Sequence, residues 1–156
     1  MVVSAVAGQE SRADCFNDSS FWVAMKQVWV EFSTEEEKPL VIAAWVAKSP
    51  EQRARGFQGV CTGLVIIRSL LFSFPVPVHS NFHMAGVAVP LDIAFIDVSR
   101  QVIDIQRMTL QESNQPMRYY RPNANFHFAL ETASGRLDQL RLNPILWRMR
   151  VSNRNH

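Results

Sequence analysis

The sequence predicts a mainly β, α+β domain, mostly antiparallel and clam-like or barrel-like in shape, with two short helices. Three observations lead to this prediction. At 156 residues the chain has the size of one domain. Hydrophobic residues make up 47% of it and charged residues 19%, as in folded globular proteins. Short apolar segments, several of them alternating with polar residues, recur between turn residues, which indicates strands.

The first half of the chain contains two predicted strands and one short helix. Segments 28–32 and 41–47 are rich in Val, Trp and other apolar residues and flank the polar turn STEEEKP, as in a pair of strands. The tetrapeptide SPEQ at 49–52 places Ser at the N-cap, Pro at the first helical position and Gln at the third, which predicts a capping box. Gly56 is positioned to end this helix after little more than one turn.

The middle of the chain is strongly apolar and predicts core strands. The stretch GVCTGLVIIRSLLFSF leads into PVPV, whose prolines at 75 and 77 favour a rim or a connecting loop over a central strand. The segment NFHMAGVA is predicted to be a loop that leads into the strand PLDIAFID. A turn that begins at Asp97 joins this strand to QVIDIQR at 101–107, and the two are predicted to form a β-hairpin.

The last third of the chain contains a long polar loop, a strand, a short helix and a final strand. Residues 109–123 are predicted to form the loop, and NFHFALE at 125–131 alternates apolar and polar side chains as a half-buried strand does. SGRLDQLRL is predicted to be a helix with Ser134 at its N-cap and its end at 143–144. The segment LWRMRV predicts the last strand.

Charge and hydropathy limit the classes of partner. The formal net charge is only +2, and no dense basic stripe with interleaved aromatic residues occurs, so we expect no nucleic-acid partner. No run reaches the roughly 18 apolar residues of a membrane helix, because Arg68 interrupts the best candidate, and we expect no membrane partner. We expect residues 1–20 to form a loose N-terminal arm and residues 21–156 a single β-rich domain.

The cysteines and the first residues leave the compartment open. Cys15 and Cys61 allow either one disulfide in an exported protein or two buried thiols. The start MVVSAVAGQESRADC has no basic segment before its short apolar stretch, so no intact signal peptide is expected. An exported or periplasmic location and a cytoplasmic one both remain open, as does the oligomeric state.

Several motifs of the middle and end of the chain occur together in a known order. The segment PLDIAFID at 90–97 is the most specific of them. The other motif residues are Arg53, Gly56, Phe57, the segment LFSF at 71–74, Phe82, Met84, Leu130, Glu131 and Gly135. Over roughly residues 40–150 this order resembles the uncharacterised bacterial and archaeal family called domain of unknown function 192.

The resemblance implies a compact, mostly antiparallel β structure that folds over like a clam, with helices at its side. It implies no established activity. The chain departs from the family pattern at His83, where the family usually has Trp, and at Gly86 and Val87, where it has Asn-Thr. A function that depends on the Asn-Thr pair is therefore not expected here.

Three residues are candidates for catalysis, namely Asp92, Glu131 and His83. Asp92 is expected either to accept hydrogen bonds from the backbone of the loop 81–88, the more frequent role of a buried polar group, or to act as a general base. Asp92 and Glu131 form a two-carboxylate site only if they meet across strands. His83 is a general base or a packing residue, and the histidines have no metal-site spacing, so no metal is expected.

The leading functional hypothesis is a binding module whose groove is edged by the loops 79–88 and 118–122. Its expected ligand is small and polar, for example a carbohydrate. The expected ligand-binding residues are Met84, Asp92, Arg118, Tyr119, Tyr120, Arg121 and Glu131. One alternative is a glycosidase-like hydrolase that uses Asp92 and Glu131, and the other is a structural or interaction protein. No Walker-type loop or dinucleotide-binding turn is present, so no cofactor is expected.

Overall fold

The computed structural model describes residues 15–16 and 22–153, and most of these belong to one curled sheet of seven strands. The strands are β1 (Gln27–Ser33), β2 (Leu40–Ala47), β3 (Leu70–Val78), β4 (Leu91–Ile96), β5 (Val102–Met108), β6 (Phe126–Ala133) and β7 (Arg148–Ser152). The connecting helices are α1 (Pro50–Arg55), α2 (Thr62–Ile67), α3 (Asp138–Arg141) and a 3₁₀ helix (Pro144–Leu146). The mainly β, single-domain architecture predicted from the sequence is confirmed.

Neighbouring strands are antiparallel except for β2 and β3. The order across the sheet is β5-β4-β6-β3-β2-β1-β7, and Trp45 of β2 pairs with Leu70 of the parallel strand β3. Parallel neighbours need a crossover connection. Here α1 and α2 supply it, and helix residues from this crossover pack on the sheet.

The two ends of the sheet approach each other, so that it forms a half-barrel. The backbone N–H of Val102 in β5 donates to the carbonyl of Trp147 at 3.0 Å, and Met149 in β7 donates to the carbonyl of Arg100 at 2.8 Å. An antiparallel bridge between Gln101 and Arg148 lies between these bonds. Edge strands with unpaired backbone groups invite aggregation, and this closure shortens both edges.

Alternating side chains give the sheet two buried faces. The face beneath the crossover, called the α1/α2 face below, carries Leu70, Phe72, Ile93 and Ala129, which pack against Phe57, Val60 and Val65 of the crossover. Residues from all seven strands and α3 form the cluster on the opposite face. All six residues of β4 are buried, because this strand is covered on both faces.

Several local predictions are confirmed and others are wrong. Ser49 and Gln52 form the predicted capping box, and the helix ends at Gly56. The helix α2 was not predicted, because its six residues TGLVII resemble a buried strand in composition. Ser134 does not cap α3, whose N-cap residue Leu137 makes no side-chain cap bond.

The proline-rich segment lies at the rim of the sheet, as predicted. Between Ser73 and Val78 the pairing of β3 with β6 shifts in register, and the intervening Pro75, Val76 and Pro77 are exposed. Proline removes a ladder donor, so an interruption of the pairing is expected here.

A disulfide joins Cys15 to Cys61, which decides between the two alternatives that the sequence left open. Beside it, the backbone N–H of Cys61 donates to the carbonyl of Phe16 at 3.0 Å. The arm is therefore attached to the domain at residues 15–16, and the rest of the predicted arm up to residue 20 lies outside the described residues. No helix in the described part of the chain is long and apolar enough to span a membrane.

Candidate functional site

Glu131 is a buried carboxyl group without a partner. It lies in β6, opposite Leu70 of β3 and Ile93 of β4, and only 5% of its surface is exposed. Among the described residues none forms a hydrogen bond or an ion pair with its carboxyl group. Buried polar groups in native proteins are usually hydrogen-bonded, so a buried carboxyl group without a partner in the described chain calls for an explanation.

The carboxyl group of Glu131 lines a cavity of about 150 Å³ on the α1/α2 face. The walls come from the end of α1, from β3 and from the loop before β4, with Arg53, Arg55, Phe72, Asn81, Phe82 and His83 among the lining residues. Three larger recesses, of about 460, 590 and 380 Å³, lie at the β1–β2 turn, at the loop 109–118 and beside Arg107 and Asp138. Their linings contain no buried ionisable group, so the smaller cavity is the better candidate site.

Gly56 leaves the space above Glu131 open. A Cβ atom at this position would lie 3.4 Å from the ring of Phe72 and 3.9 Å from Oε2 of Glu131. The backbone of Gly56 has φ +51°, a conformation that residues with side chains rarely adopt. The capping box at the start of α1 and the glycine at its end therefore determine both the length of the helix and the shape of the cavity.

The last turn of α1 contributes two arginines to the cavity wall. Nη1 of Arg53 donates to the carbonyls of Lys48 and of Ser73, the latter at 3.1 Å, and its guanidinium lies 5.1 Å from the ring centre of Phe74. Its Nε and Nη2 make no hydrogen bond within the described chain. The guanidinium of Arg55 stacks on the ring of Phe16 at 3.7 Å.

The loop before β4 forms the other wall. Phe82 packs edge-on against Phe72, with ring centres 5.2 Å apart, and its backbone bonds to Tyr120. Nδ1 of His83 accepts a hydrogen bond from the N–H of Ala85 at 3.2 Å, which places the proton of the neutral ring on Nε2. His83, predicted as a catalytic candidate, thus lines the same cavity as Glu131.

Burial controls the protonation of Glu131. Removal of the carboxyl group from water raises its pKa from the ordinary 4.5 to about 8, because the charged form loses its solvation. The group is therefore mostly protonated at neutral pH. Arginines remain charged at this pH, so the cavity offers hydrogen-bond donors and positive charge to a ligand.

Asp92 is as deeply buried as Glu131 but has a full set of partners. Nε and Nη2 of Arg107 donate to its two oxygens at 2.9 and 3.2 Å, and the N–H of Gly135 donates to Oδ2 at 2.8 Å. The hydroxyl of Ser134 lies 3.3 Å from Oδ1. Asp92 thus holds the turn after β6, not the loop 81–88 that we expected it to hold.

The register of the sheet separates Asp92 from Glu131. Ile93, the residue next to Asp92, pairs with Glu131, whereas Asp92 pairs with Thr132. Side chains of adjacent residues in a strand point to opposite faces. Glu131 therefore lies on the α1/α2 face and Asp92 on the other, and the predicted cross-strand carboxylate pair is not formed.

The two loops predicted to edge a groove are joined to each other. The N–H of Phe82 donates to the carbonyl of Tyr120 at 2.9 Å, and the N–H of Tyr120 donates to the carbonyl of Phe82 at 2.8 Å. Nε2 of His79 lies 2.7 Å from the carbonyl oxygen of Pro122. Of the two loops, only the loop 79–88 contributes residues to the lining of the cavity at Glu131. The cavity lies on the other side of Phe82, towards α1.

The remaining predicted ligand residues lie away from the cavity. Met84 and Tyr120 belong to the core, and the Tyr120 hydroxyl accepts the N–H of Thr109 at 3.1 Å. Tyr119 is 60% exposed, and Arg118 and Arg121 are exposed as well. None of these five side chains lines the cavity at Glu131.

Sequence reasoning did not assign Arg53, Arg55, Gly56 or Asn81 to a site. A signal was present for two of them, because Arg53 and Gly56 belong to the same set of motif residues as Glu131. Motif residues that are distant in the chain and belong to no core pattern are candidates for a shared site. For Arg55 and Asn81 the sequence carries no comparable signal.

Within the described residues, no group of three or more His, Cys, Asp or Glu side chains is placed to hold a metal ion. The cavity contains one carboxyl group and one imidazole beside two arginines. Such a set favours an anion or a hydrogen-bonding ligand over a cation.

Three comparisons relate this chain to known proteins. The family model DUF192, described as "Uncharacterized ACR", matches residues 31–144. A UPF0127 protein of Thermococcus sibiricus is 28% identical over 86 residues, which are 54% of this chain and 52% of that protein. The match thus spans about half of the length of that relative.

Two solved structures have a similar fold. A protein named as a candidate transcription regulator, from Sinorhizobium meliloti 1021, has a TM-score of 0.70 at 19% identity, over 81% of this chain and 95% of that chain. A protein of unknown function from Novosphingobium aromaticivorans has a TM-score of 0.63 at 21% identity, over 83% and 85% of the two chains. At these identities the likeness concerns the fold alone.

Proposed function

The chain belongs to the uncharacterised DUF192 family, and on that premise we propose that it is a binding module whose cavity at Glu131 takes a small polar ligand. The proposal depends on one observation, the buried carboxyl group of Glu131, which has no partner among the described residues. A ligand that hydrogen-bonds to Glu131 would satisfy this group. Ionisable residues with strongly shifted pKa values in a cavity are typical of functional sites.

The size and lining of the cavity support a small ligand. An apolar cavity of roughly 150 Å³ holds one benzene molecule, so a cavity of about 150 Å³ accommodates a group of similar size. In the sequence, Tyr119 and the arginines of the loop 118–122 favoured a carbohydrate as the ligand. A carbohydrate would have to enter this cavity as a single ring. The exposed loop offers no stacking surface at the cavity mouth, so sugars are one class among several to test.

Binding is favoured over hydrolysis because the cavity lacks a second carboxylate. A glycosidase-like mechanism needs two carboxyl groups on the same side of the scissile bond or flanking it. Asp92, the other predicted member, lies on the opposite face and is engaged by Arg107. Among the described residues Glu131 is the only carboxyl group that lines this cavity.

The proposal is tested with a thermal-shift screen of the wild type and of the Glu131→Leu variant. The compounds are small carboxylates, amines, amides and monosaccharides. A ligand at a hundred times its Kd stabilises the folded state by about 2.7 kcal/mol, which is a shift of several degrees for a chain of this size. We expect one class to shift the melting temperature of the wild type and not that of Glu131→Leu.

The Glu51→Leu variant is the matched control. Glu51 is exposed on α1 and does not line the cavity, so this variant should respond as the wild type does. Equal shifts in all three proteins would place the ligand elsewhere and overturn the proposal. A complete lack of response in the wild type would also contradict it and would favour the structural or interaction alternative.

A further inference from the structure

The ionisable groups around the cavity are mostly basic. Arg53 and Arg55 reach it from α1 and His83 from the loop before β4, while the residues that pair with Glu131 from β3 and β4 are the apolar Leu70 and Ile93. These are the ionisable groups that face Glu131 in the described structure. Arg53 places a positive charge at the cavity wall and a protonated Glu131 does not offset it, so the cavity favours an anion over an amine.

Two hydrogen-bond donors are suited to the same anion. Arg53 has its Nη1 on two backbone carbonyls, and its Nε and Nη2 make no bond within the described residues. Arg53 and Glu131 line the same cavity, and no ion pair within 4.0 Å joins them. Hydrogen bonds from a guanidinium or from a carboxylic acid to an anion are charge-assisted and roughly twice as strong as neutral ones.

Part of the cavity wall is apolar, beside the polar side chains of Gln58 and Asn81. The rings of Phe72 and Phe82 meet edge-on beside the carboxyl group, and Val87 lies on the same wall. This part of the wall suits a short hydrocarbon chain. An inorganic anion would leave this apolar surface without contacts.

We infer that the cavity binds a small organic carboxylate, whose anionic group lies between Arg53 and the carboxyl group of Glu131 and whose hydrocarbon chain packs on Phe72 and Phe82. This inference rests on the proposed function and names the class of its ligand. Binding requires the proton on Glu131, because two carboxylates in contact repel each other. The bound anion accepts this proton in a hydrogen bond, and no covalent bond changes.

The experiment measures the Kd of propionate for the wild type and for Glu131→Gln at pH 7 and pH 9.5. The carboxyl group of Glu131 has its pKa raised to about 8, so the wild type should bind roughly 30-fold more weakly at the higher pH. The amide of Glu131→Gln donates a hydrogen bond at both pH values. We therefore expect this variant to bind propionate with the same Kd at pH 7 and pH 9.5.

Propionamide, propylamine and inorganic phosphate are the comparison ligands, and Glu51→Gln is the matched control. Propionate should bind the wild type at pH 7 at least 10-fold more tightly than these three. Tighter binding of propylamine, lost in Glu131→Gln, would overturn the carboxylate inference and leave the proposed binding function intact. Tighter binding of phosphate would overturn only the choice of an organic ligand. The proposed function itself fails on two results together. None of the four compounds binds, and in the thermal-shift screen Glu131→Leu responds to every compound as the wild type does.

Discussion

Asp92 and Glu131 show how partners decide the role of a buried carboxyl group. Both are fully or almost fully buried in neighbouring strands of one sheet. Asp92 is contacted by Arg107 and by the backbone of Gly135, whereas Glu131 has no partner among the described residues. The first carboxyl group is therefore structural, and the second is the centre of the candidate site.

The pH dependence of stability should reveal the raised pKa of Glu131. The folded state holds a proton up to pH about 8, and the unfolded state releases it at its ordinary pKa of 4.5. The free energy of unfolding should therefore fall as the pH rises from about 4.5 to about 8, by up to roughly 5 kcal/mol, and stay level above that. The test is urea unfolding of the wild type and of Glu131→Gln at several pH values. The difference between their free energies of unfolding, plotted against pH, measures the contribution of Glu131.

A difference that stays constant from pH 5 to pH 9 would contradict the raised pKa of Glu131. The Glu51→Gln variant is the control, since Glu51 is exposed and its curve should run parallel to that of the wild type.

Replacement of Asp92 by Asn should destabilise the fold without affecting the cavity. The Asn side chain has one acceptor oxygen. If that oxygen takes the place of Oδ2 it still accepts from Gly135, but the amide NH2 then faces Nε of Arg107, which loses its acceptor. A buried donor left without an acceptor costs about 1–3 kcal/mol. Urea unfolding measures the loss, and the Asp138→Asn variant, which changes the exposed partner of the same arginine, should unfold close to the wild type.

An Asp92→Asn protein as stable as Asp138→Asn would mean that the bonds of Asp92 contribute nothing to the fold. A loss of ligand response at unchanged stability would assign Asp92 to the site.

At the scale of the elements, the short helix α1 links the fold to the site. Ser49 and Gln52 begin it through their reciprocal cap bonds, Arg53 and Arg55 lie in its last turn, and Gly56 ends it above Glu131. A six-residue helix is too short to be stable alone. Its position depends on the cap and on the bond from Arg53 to the carbonyl of Ser73 in β3.

The Gly56→Ala variant should narrow the cavity and strain the end of α1. A methyl group there would lie 3.4 Å from the Phe72 ring, and the backbone has a positive φ. We expect a loss of stability of about 1–2 kcal/mol or more and a weaker ligand response. Thermal unfolding with and without the ligand measures both effects.

Gly63→Ala in α2 provides the matched control for Gly56→Ala. No atom lies within 4 Å of the added methyl group, and helix propensity favours Ala, so this variant should be as stable as the wild type or more stable by up to about 1 kcal/mol. Equal stability of the two alanine variants would show that the backbone at Gly56 tolerates a side chain.

At the scale of the whole molecule, a half-barrel joined by one disulfide encloses two buried clusters. The ends of the sheet are linked through residues 100–102 and 147–149, and the disulfide attaches Cys15 to Cys61 at the start of α2. Disulfides persist in oxidising compartments and are rare in reducing ones. The Phe16 ring beside this disulfide stacks on Arg55, so the same contact reaches the cavity wall.

Loss of the disulfide should destabilise the whole domain. It closes a loop with a sequence separation of 46 residues, and the chain-entropy relation gives about 4 kcal/mol for a loop of this length. We expect the double variant Cys15→Ser/Cys61→Ser to lose a stability of this order in urea. A reducing agent should lower the stability of the wild type equally and leave the double variant unchanged. If thiol titration confirms that the disulfide is reduced and the stability of the wild type is unchanged, this prediction is contradicted.

The sequence alone determined the local features of this protein. Apolar segments between turn residues predicted six of the seven strands, SPEQ predicted the start of α1, and PLDIAFID carried the family resemblance, because these signals depend on neighbours in the chain. The apolar stretch that contains α2 and β3 had an ambiguous pattern, since a short apolar segment fits a strand as well as a buried helix.

Only the tertiary structure decided which residues share the site. Asp92 and Glu131 have equivalent places in the sequence, each a carboxylate in an apolar strand, and the register Ile93–Glu131 assigned them to opposite faces. Register depends on pairing between distant segments, and a slip of one residue would exchange the faces. The position of Gly56 and Arg53 over Glu131 likewise follows from the α1–α2 crossover between the parallel strands β2 and β3. Local patterns cannot encode such contacts, because the residues that meet there are about 75 positions apart in the chain.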